Sequence, residues 1–369
     1  MTLVYLDYNA TAPLRPEVVA AMDEWLAQPA NPSSVHGFGR RAKQVLDESR
    51  RTLASTISAF PHEVYFTASG TEANNWALNV LGAQRTLIVS ASEHVSVLAC
   101  ARRYNAIVIA VDDSGVLNLD ALERELKQHK AALVSVMLVN NETGVVQPVA
   151  EIAKLAKRFG ALVHCDAVQA LGKWPIDIGL LGVDALTLSA HKMGGPVGAA
   201  ALVVRDGVAL APMMFGGGQE ARLRPGTENV AAIAGFSKAI SLADAKALEP
   251  LEKWLRKMEQ VICEVSAGTR VAGVDANRAP NVSNLTMPGV VSETQLIDFD
   301  MGGYAISSGS ACSSGRVEPS HVLLSMDYTQ QEAGCAIRVS GGWATTELDI
   351  LRFTEAWLAL YKRVGQKAA

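Results

Sequence analysis

Cysteine is scarce in this sequence and is not arranged in pairs. The 369 residues include five cysteines, an odd number, scattered at positions 100, 165, 263, 312 and 335. No two of them form a C-x-x-C pair, so neither the usual spacing of a zinc site nor a disulfide framework is indicated. The pattern leaves room for at least one free, reactive thiol.

An excess of one charge and long apolar runs are also missing. Lys and Arg number 33 against 37 Asp and Glu, a net charge of −4 with His neutral, which offers no basic surface for nucleic acid. No uncharged apolar stretch approaches the roughly 18 residues that a membrane-spanning helix needs. The N-terminus has no basic region and soon reaches Asp7, so we expect no secretory signal and a cytoplasmic location.

Three common nucleotide and metal motifs are absent as well. The chain has no G-x-G-x-x-G after a predicted strand, no G-x-x-x-x-G-K-[ST] and no H-E-x-x-H. Dinucleotide binding, P-loop phosphoryl transfer and zinc proteolysis therefore lack their usual support.

The sequence does contain short β-branched runs that alternate with helical stretches. Helices are predicted over residues 16–28, 38–59, 71–81, 93–104, 119–129 and 149–159. Strands are predicted over residues 63–67, 86–90, 106–111, 133–139, 161–166, 185–189 and 197–205. This alternation predicts an α/β fold with a mostly parallel sheet, in which ligands bind at the carboxyl ends of the strands.

The pattern changes near residue 245. It continues with helices predicted over 249–266 and 346–362 and with strands predicted over 281–287 and 336–339. We predict that these elements form a smaller α/β domain, with which the extended start of the chain pairs. The predicted division is a large domain over residues 13–245 and a small domain made of residues 1–12 and 246–369.

Polar residues follow three of the predicted strands. Residues 67–72 form a small, hydroxyl-bearing turn at a helix N-terminus, which either binds an anion or is an ordinary helix cap. Asp166 ends a buried strand, where its carboxylate needs a cation or hydrogen-bond donors unless it caps a helix. Lys192 ends another strand and is either a surface residue or a desolvated amine suited to bonding an aldehyde.

Together these residues predict a site for pyridoxal 5′-phosphate. This cofactor needs a cradle for its phosphate, a carboxylate that keeps its ring nitrogen protonated and a lysine that bonds its aldehyde. The strand ends would supply all three at one edge of the sheet.

Eight sequence blocks add a family resemblance. They are YLDYNAT from Tyr5, NPSS-x-H from Asn31, NNETG from Asn140, H-x-D-x-x-Q from His164, S-x-H-K from Ser189, GGGQE from Gly216, RPGTEN from Arg224 and SSGSACSSG from Ser307. In these blocks the chain resembles fold-type I pyridoxal-phosphate enzymes of the class V aminotransferase group. More narrowly, it resembles the NifS/IscS-like cysteine desulfurases, which convert L-cysteine to L-alanine and pass the sulfur to an enzyme cysteine.

The resemblance implies a set of cofactor contacts. Lys192 would carry the aldehyde, Asp166 would pair with the ring nitrogen, Gln169 would hydrogen-bond the phenolic oxygen, and His94 would stack on the ring and move protons. Contacts to the phosphate would come from Gly70, Thr71, Ser189 and His191. Thr227 would reach the phosphate from a second subunit, which implies a homodimer.

The resemblance also implies a substrate site and a nucleophile. Asn141, which would also contact the cofactor, and Arg338 would hold the substrate carboxylate, and Asn31 would be a further substrate contact. Arginine suits this role because its planar guanidinium group can form two hydrogen bonds to a carboxylate. A salt bridge at a strand edge is the structural alternative for Arg338. Cys312 would be the nucleophile that takes the sulfur as a persulfide, and Ser and Gly on both sides give its loop few packing anchors.

The acceptor of that sulfur would be another protein, such as an iron–sulfur scaffold. A few positions depart from the family pattern, among them Ala190, Val197 and Trp343. Two rival functions stay open: a selenocysteine lyase or another class V aminotransferase-type enzyme, and a non-catalytic sulfur-relay subunit that has kept the fold.

Overall fold

The computed structural model describes residues 3–308 and 319–364. Its helices are α1 (Pro16–Leu26), α2 (Gly37–Thr56), α3 (Gly70–Leu81), α4 (Val95–Arg103), α5 (Leu119–Gln128), α6 (Val149–Arg158), α7 (Ile178–Leu181), α8 (Val230–Ser241), α9 (Glu249–Val265), α10 (Ser292–Met301), α11 (His321–Ser325), α12 (Gln330–Gly334) and α13 (Glu347–Arg363). Its strands are β1 (Val4–Tyr5), β2 (Val64–Thr67), β3 (Leu87–Ser90), β4 (Ile107–Ile109), β5 (Leu133–Met137), β6 (Leu162–Asp166), β7 (Ala185–Ser189), β8 (Ala200–Val204), β9 (Val282–Thr286), β10 (Tyr304–Ala305) and β11 (Ala336–Ser340).

A seven-stranded sheet of order β2-β8-β7-β6-β5-β3-β4 forms the centre of the larger region. The pairs from β4 through β7 are parallel, whereas β8 runs antiparallel to both β2 and β7. β5, β7 and β8 are buried along their whole length, as strands covered on both faces are expected to be. The predicted α/β fold with a mostly parallel sheet is confirmed.

Helix α3 begins where the sequence predicts an anion site. Ser69 caps it from an extended conformation, and its Oγ accepts a hydrogen bond from the N–H of Glu72 at 3.1 Å. Ala73, Trp76 and Ala77 are buried in one apolar cluster with residues of β7 and β8. This packing directs the first turn of α3 towards the end of β7.

A second apolar cluster lies in the smaller region and includes Leu6, Leu255, Phe353 and Trp357. Here β9 and β11 pair antiparallel and β1 and β10 pair parallel. An isolated bridge between Asp7 and Ser340 joins the N-terminal segment to β11. The N-terminal segment thus pairs with this region, and the domain boundaries, 13–245 against 1–12 with 246–369, stay a prediction.

The elements predicted from the sequence occur within a few residues of their predicted ends. The sequence prediction missed α7, α8, β10 and α10 to α12. Helix α8 lacks an amphipathic pattern because it is buried on almost every side, from Val230 to Ala234 and again at Phe236. Helices α7, α11 and α12 are too short to show a period. Across the described residues, no helix is both long and apolar enough to cross a membrane.

Candidate active site

The start of α3 and the end of β7 form one wall of the candidate site. A Cβ added at Gly70 would lie 2.9 Å from Cγ2 of Val168 and 3.8 Å from Cβ of Ser189. The Oγ of Ser189 is buried and has no hydrogen-bond partner among the residues that the structure describes. The N–H groups of Gly70 and Thr71 belong to the first helical turn, where no intrahelical acceptor exists. The Ser69 cap that was weighed as the alternative is present, and binding of a phosphate by Gly70, Thr71 and Ser189 stays a prediction.

Asp166 closes β6 beside this wall of the site and is almost fully buried. Its Oδ2 accepts a hydrogen bond from Nδ2 of Asn74 at 2.6 Å, and its Oδ1 accepts one from the N–H of Val168 at 3.0 Å. Both donors are neutral, so the buried carboxylate can still stabilise a positive charge brought by a ligand.

His94 caps α4 and is connected to Asp166 through two side chains. The Nδ2 of Asn74 also donates to Oγ of Ser96 at 3.0 Å, and that hydroxyl lies 2.8 Å from Nδ1 of His94. The backbone N–H of Ser96 donates to Nδ1 at 3.2 Å, so Nδ1 is an acceptor and the proton of the neutral ring lies on Nε2. Burial, together with the charge of Lys192, lowers the pKa of His94, and Asp166 opposes that shift.

Lys192 ends the short 3₁₀ turn that follows β7 and is half-buried. Its Nζ donates to the carbonyl oxygens of Asn9 and Ala10, both at 2.8 Å. The amine is therefore held against the N-terminal segment of the chain and is not a surface residue.

Two predicted cofactor contacts have protein partners in this structure. Gln169 donates from Nε2 to the carbonyl of Asn9 at 2.9 Å and accepts at Oε1 from Nζ of Lys173 at 2.7 Å. Nδ1 of His191 lies 3.3 Å from Oγ1 of Thr11, and burial is the main cause that lowers the pKa of His191 to about 4. Their roles towards the cofactor stay predictions.

On the opposite side of the site, Arg338 of the smaller region meets Asn141 of the larger region. Nη1 of Arg338 donates to the carbonyl of Asn141 at 3.1 Å, and Nη2 lies 2.7 Å from Oδ1 of Asp7. Nε of Arg338 is buried and without a partner within the described ranges. The salt bridge that we weighed as the alternative is thus present, and binding of a substrate carboxylate by Arg338 and Asn141 stays a prediction.

Three predicted residues are not brought into this cluster. Asn31 is exposed, and its Oδ1 accepts from the N–H of Ser33 at 2.9 Å. Thr227 is exposed on the segment before α8, as a residue that acts in a second subunit would be. Cys312, the predicted nucleophile, lies outside the described residues.

Several residues contact the predicted ones although the sequence analysis gave them no role. They include Asn9, Asn74 and Lys173, each buried and hydrogen-bonded to a predicted residue. Two features of the sequence could have pointed to them. Asn9 lies in the block YLDYNAT, and Lys173 follows Gln169 by four residues. Polar residues at such buried positions call for a reason.

Pyridoxal 5′-phosphate fits the residues present. The unpartnered Oγ of Ser189 and the N–H groups of the first turn of α3 suit a phosphate, and Asp166 suits a protonated ring nitrogen. Lys192 supplies the amine for the aldehyde.

The chain matches the family described as aminotransferase class-V over residues 4–353. It is similar to the cysteine desulfurase IscS of Dictyoglomus turgidum, 39% identical over 361 residues that cover 94% of this chain and 91% of the relative. Among solved structures it is similar to a NifS-like protein from Rickettsia africae, with a TM-score of 0.91 and 34% identity over 98% of this chain and 99% of that one. A structure described as SspA in complex with cysteine has a TM-score of 0.80 and 31% identity, over 91% of this chain and 98% of that one.

Proposed function

The chain belongs to the aminotransferase class-V family, and on that premise we propose a role for each residue of the strand-end site. Its activity is that of a cysteine desulfurase, which converts L-cysteine to L-alanine, and its cofactor is pyridoxal 5′-phosphate. The family resemblance of the sequence blocks is thereby confirmed. The observation that best supports the residue roles is the convergence of Lys192, Asp166 and the unpartnered Ser189 hydroxyl at the ends of neighbouring strands.

The residues around the cofactor hold it at three points. Gly70, Thr71 and Ser189 bind the phosphate at the start of α3, and Lys192 bonds the aldehyde carbon. Asp166 keeps a proton on the ring nitrogen through its buried negative charge. When bound, the cofactor supplies an electron sink that withdraws electrons from the substrate and weakens its Cβ–Sγ bond.

His94 moves the proton at the substrate carbon. Its lowered pKa keeps the ring neutral at neutral pH, and the Ser96 contact places the ring proton on Nε2. The side of the ring that faces away from Ser96 therefore carries the Nε2 proton, which the ring gives up as Nδ1 takes up another proton, so that the ring returns to its neutral form. Arg338 and Asn141 orient the substrate by its carboxylate.

The sulfur is taken by Cys312. In this step the thiolate of Cys312 bonds the substrate sulfur while the Cβ–Sγ bond breaks, and its electron pair stays with the carbon fragment that becomes alanine. The product on the enzyme is a Cys312 persulfide, which makes the protein a sulfurtransferase that serves an acceptor protein such as an iron–sulfur scaffold. We place this reaction in the cytoplasm.

The test of this role is mass analysis of the protein after exposure to L-cysteine. We expect one added sulfur atom on the peptide that contains Cys312, and we expect Cys312→Ser to retain the visible absorbance of the cofactor while sulfide release in the presence of a thiol falls by at least a hundredfold. Cys263→Ser is the matched control. Cys263 is partly exposed on α9, and this variant should leave turnover unchanged. Unchanged turnover in Cys312→Ser would remove Cys312 from the mechanism.

Two rival activities are separated by product analysis. A selenocysteine lyase would release selenide from selenocysteine while leaving cysteine intact, and an aminotransferase would yield a keto acid and a transferred amine. A non-catalytic relay subunit would purify without the cofactor. The grouping of Lys192, Asp166 and His94 in one cluster favours a catalytic role over that of a relay subunit.

We also infer a homodimer. Thr227 is exposed on the segment that leads to α8, and Phe215 on the same segment is 93% exposed. An aromatic ring that is exposed to this extent, close in sequence to a predicted phosphate contact of the partner, suits a surface that a second copy covers.

A further inference from the structure

Lys173 is a buried lysine in the turn that follows β6, and none of the roles above uses it. It is 6% exposed. Its Nζ donates to Oε1 of Gln169 at 2.7 Å and to Oδ1 of Asn9 at 3.1 Å, so both partners are neutral amide oxygens. No salt bridge joins Lys173 to a carboxylate in the part of the chain that the structure describes. Burying an amine without a counter-charge is costly, which calls for a reason beyond packing.

Asn9 connects this lysine to Lys192. Asn9 is 2% exposed, and its carbonyl oxygen accepts hydrogen bonds from Nζ of Lys192 at 2.8 Å and from Nε2 of Gln169 at 2.9 Å. Its Oδ1 accepts from Lys173 and from Nδ2 of Asn281 at 2.9 Å. Both lysines thus bind the same asparagine, one at the backbone and one at the side chain.

The donors of Lys173 fix the orientation of two amides. An amide side chain has a donor end and an acceptor end, and the two N–H donations from Nζ select the acceptor end of both Gln169 and Asn9. The donor end of Gln169 is then turned towards the carbonyl of Asn9. Burial and the charges of Lys192 and Arg338 lower the pKa of Lys173 well below its ordinary value, and an uncharged amine still carries the two N–H bonds that these contacts need.

We propose that Lys173 is a positioning residue for Lys192: by fixing the amides of Asn9 and Gln169 it holds the Asn9 carbonyl where it receives the Lys192 amine. The proposal rests on the proposed function, because it assumes that Lys192 bonds the cofactor. A cavity of about 200 Å³ is lined by both lysines and by Asn281, so the two amines also share one internal space. Without Lys173, Oε1 of Gln169 loses this donor and Oδ1 of Asn9 keeps only the one from Asn281, so the Asn9 carbonyl and the Lys192 amine that it binds are held less firmly.

The test is the rate at which cofactor-free protein bonds added pyridoxal 5′-phosphate. Samples taken over time are reduced with borohydride, and the adduct on the Lys192 peptide is measured by mass spectrometry. We expect Lys173→Met to slow this attachment at least tenfold and to lower kcat by a similar factor, with the KM for L-cysteine changed less than threefold, because Arg338 and Asn141 are untouched. Lys173→Arg keeps the N–H donors and should recover part of the attachment rate.

Lys154→Met, at an exposed position on α6, is the matched control and should behave as the unsubstituted protein. Equal attachment rates and kcat in Lys173→Met and in this control would overturn the proposal, as would a loss confined to thermal stability. If Lys173→Met does not fold, Lys173→Gln, which keeps one donor group, must give a rate below that of Lys173→Arg, and equal rates would refute the role. Absence of any adduct on Lys192 in the unsubstituted protein would instead refute the proposed function.

Discussion

At the scale of single residues, His164 shows how the sheet beneath the site is kept uncharged. It lies fully buried in β6, with Nδ1 2.9 Å from Oγ of Ser135 and Nε2 2.9 Å from Oγ1 of Thr187. Burial lowers the pKa of His164 to about 4, although the nearby Asp166 opposes the shift. The ring is therefore neutral at pH 7 and adds no positive charge behind the carboxylate that faces the cofactor.

This histidine makes folding stability depend on pH. Between pH 4 and about 6.5 the unfolded chain binds a proton at His164 that the folded chain does not, so the stability from this group is complete above pH 6.5 and is lost as the pH falls towards 4. At pH 5 the loss is about 2 kcal/mol relative to pH 7.5. We expect His164→Gln to be less stable than the unsubstituted protein at pH 7.5, and that gap to narrow by about 2 kcal/mol at pH 5. Urea unfolding of both proteins at the two pH values measures it, and a constant gap would show that the His164 ring has the same pKa in the folded and unfolded chains.

The residues that sequence reasoning could find are those whose chemistry is distinctive at a strand end. Lys192 and Asp166 belong to this group, and the structure places both beside His94. Asn9 and Lys173 escaped because their roles depend on contacts between segments about 160 residues apart. No local pattern in the sequence records that an asparagine side chain and a lysine will meet across such a distance.

At the scale of elements, the first turn of α3 forms one side of the proposed phosphate site. Gly70 has no side chain, and a Cβ there would lie 2.9 Å from Cγ2 of Val168, closer than real Cβ contacts come. Val168 would have to shift, and it would narrow the space beside Ser189. Glycine at the first position of this helix is therefore explained by the lack of room for a Cβ beside Val168, although glycine has a low helix propensity.

We predict that Gly70→Ala weakens binding of pyridoxal 5′-phosphate about tenfold, which corresponds to about 1.4 kcal/mol. Thermal stability of the cofactor-free protein should change little, because the helix propensity gained with alanine offsets the shift of Val168. Titration of the cofactor-free protein followed by visible absorbance measures the affinity. Gly37→Ala is the matched control, since Gly37 also opens a helix and has nothing within 4 Å of an added Cβ. Equal cofactor affinities for the two variants would contradict phosphate binding at the first turn of α3.

The sequence predicts elements well where an apolar period or a β-branched run is present, as in α2 and β6. It fails where tertiary burial removes the period. Helix α8 packs apolar residues on most of its surface because α1 and α2 both cover it. The direction of β8 also left no mark in the sequence, since a strand buried on both faces has the same composition whichever way it runs.

At the scale of the whole molecule, the candidate site lies where the larger and the smaller region meet. Asn9 and Arg338 belong to the smaller region, whereas Lys192 and Asn141 belong to the larger one. Two hydrogen bonds cross the boundary: Lys192 donates to the carbonyl of Asn9, and Arg338 donates to the carbonyl of Asn141. The two regions must therefore keep their relative position for Lys192 and Arg338 to serve one substrate. The site is a property of the assembled chain and not of either region alone.

The proposed dimer gives the last prediction at this scale. Phe215 and Thr227 lie on one segment before α8. Burial of the exposed Phe215 ring against a partner subunit would stabilise the dimer. We expect Phe215→Asp to shift the protein from dimer to monomer in sedimentation velocity at micromolar concentration, because a buried carboxylate at the interface has no counter-charge. Affinity for pyridoxal 5′-phosphate should fall with it, since Thr227 of each chain would no longer reach the site of the other. Leu180→Asp, at an 81% exposed position on α7, is the control and should leave both the dimer and the affinity unchanged. A Phe215→Asp protein that stays dimeric with full affinity would place the subunit contact elsewhere on the molecule.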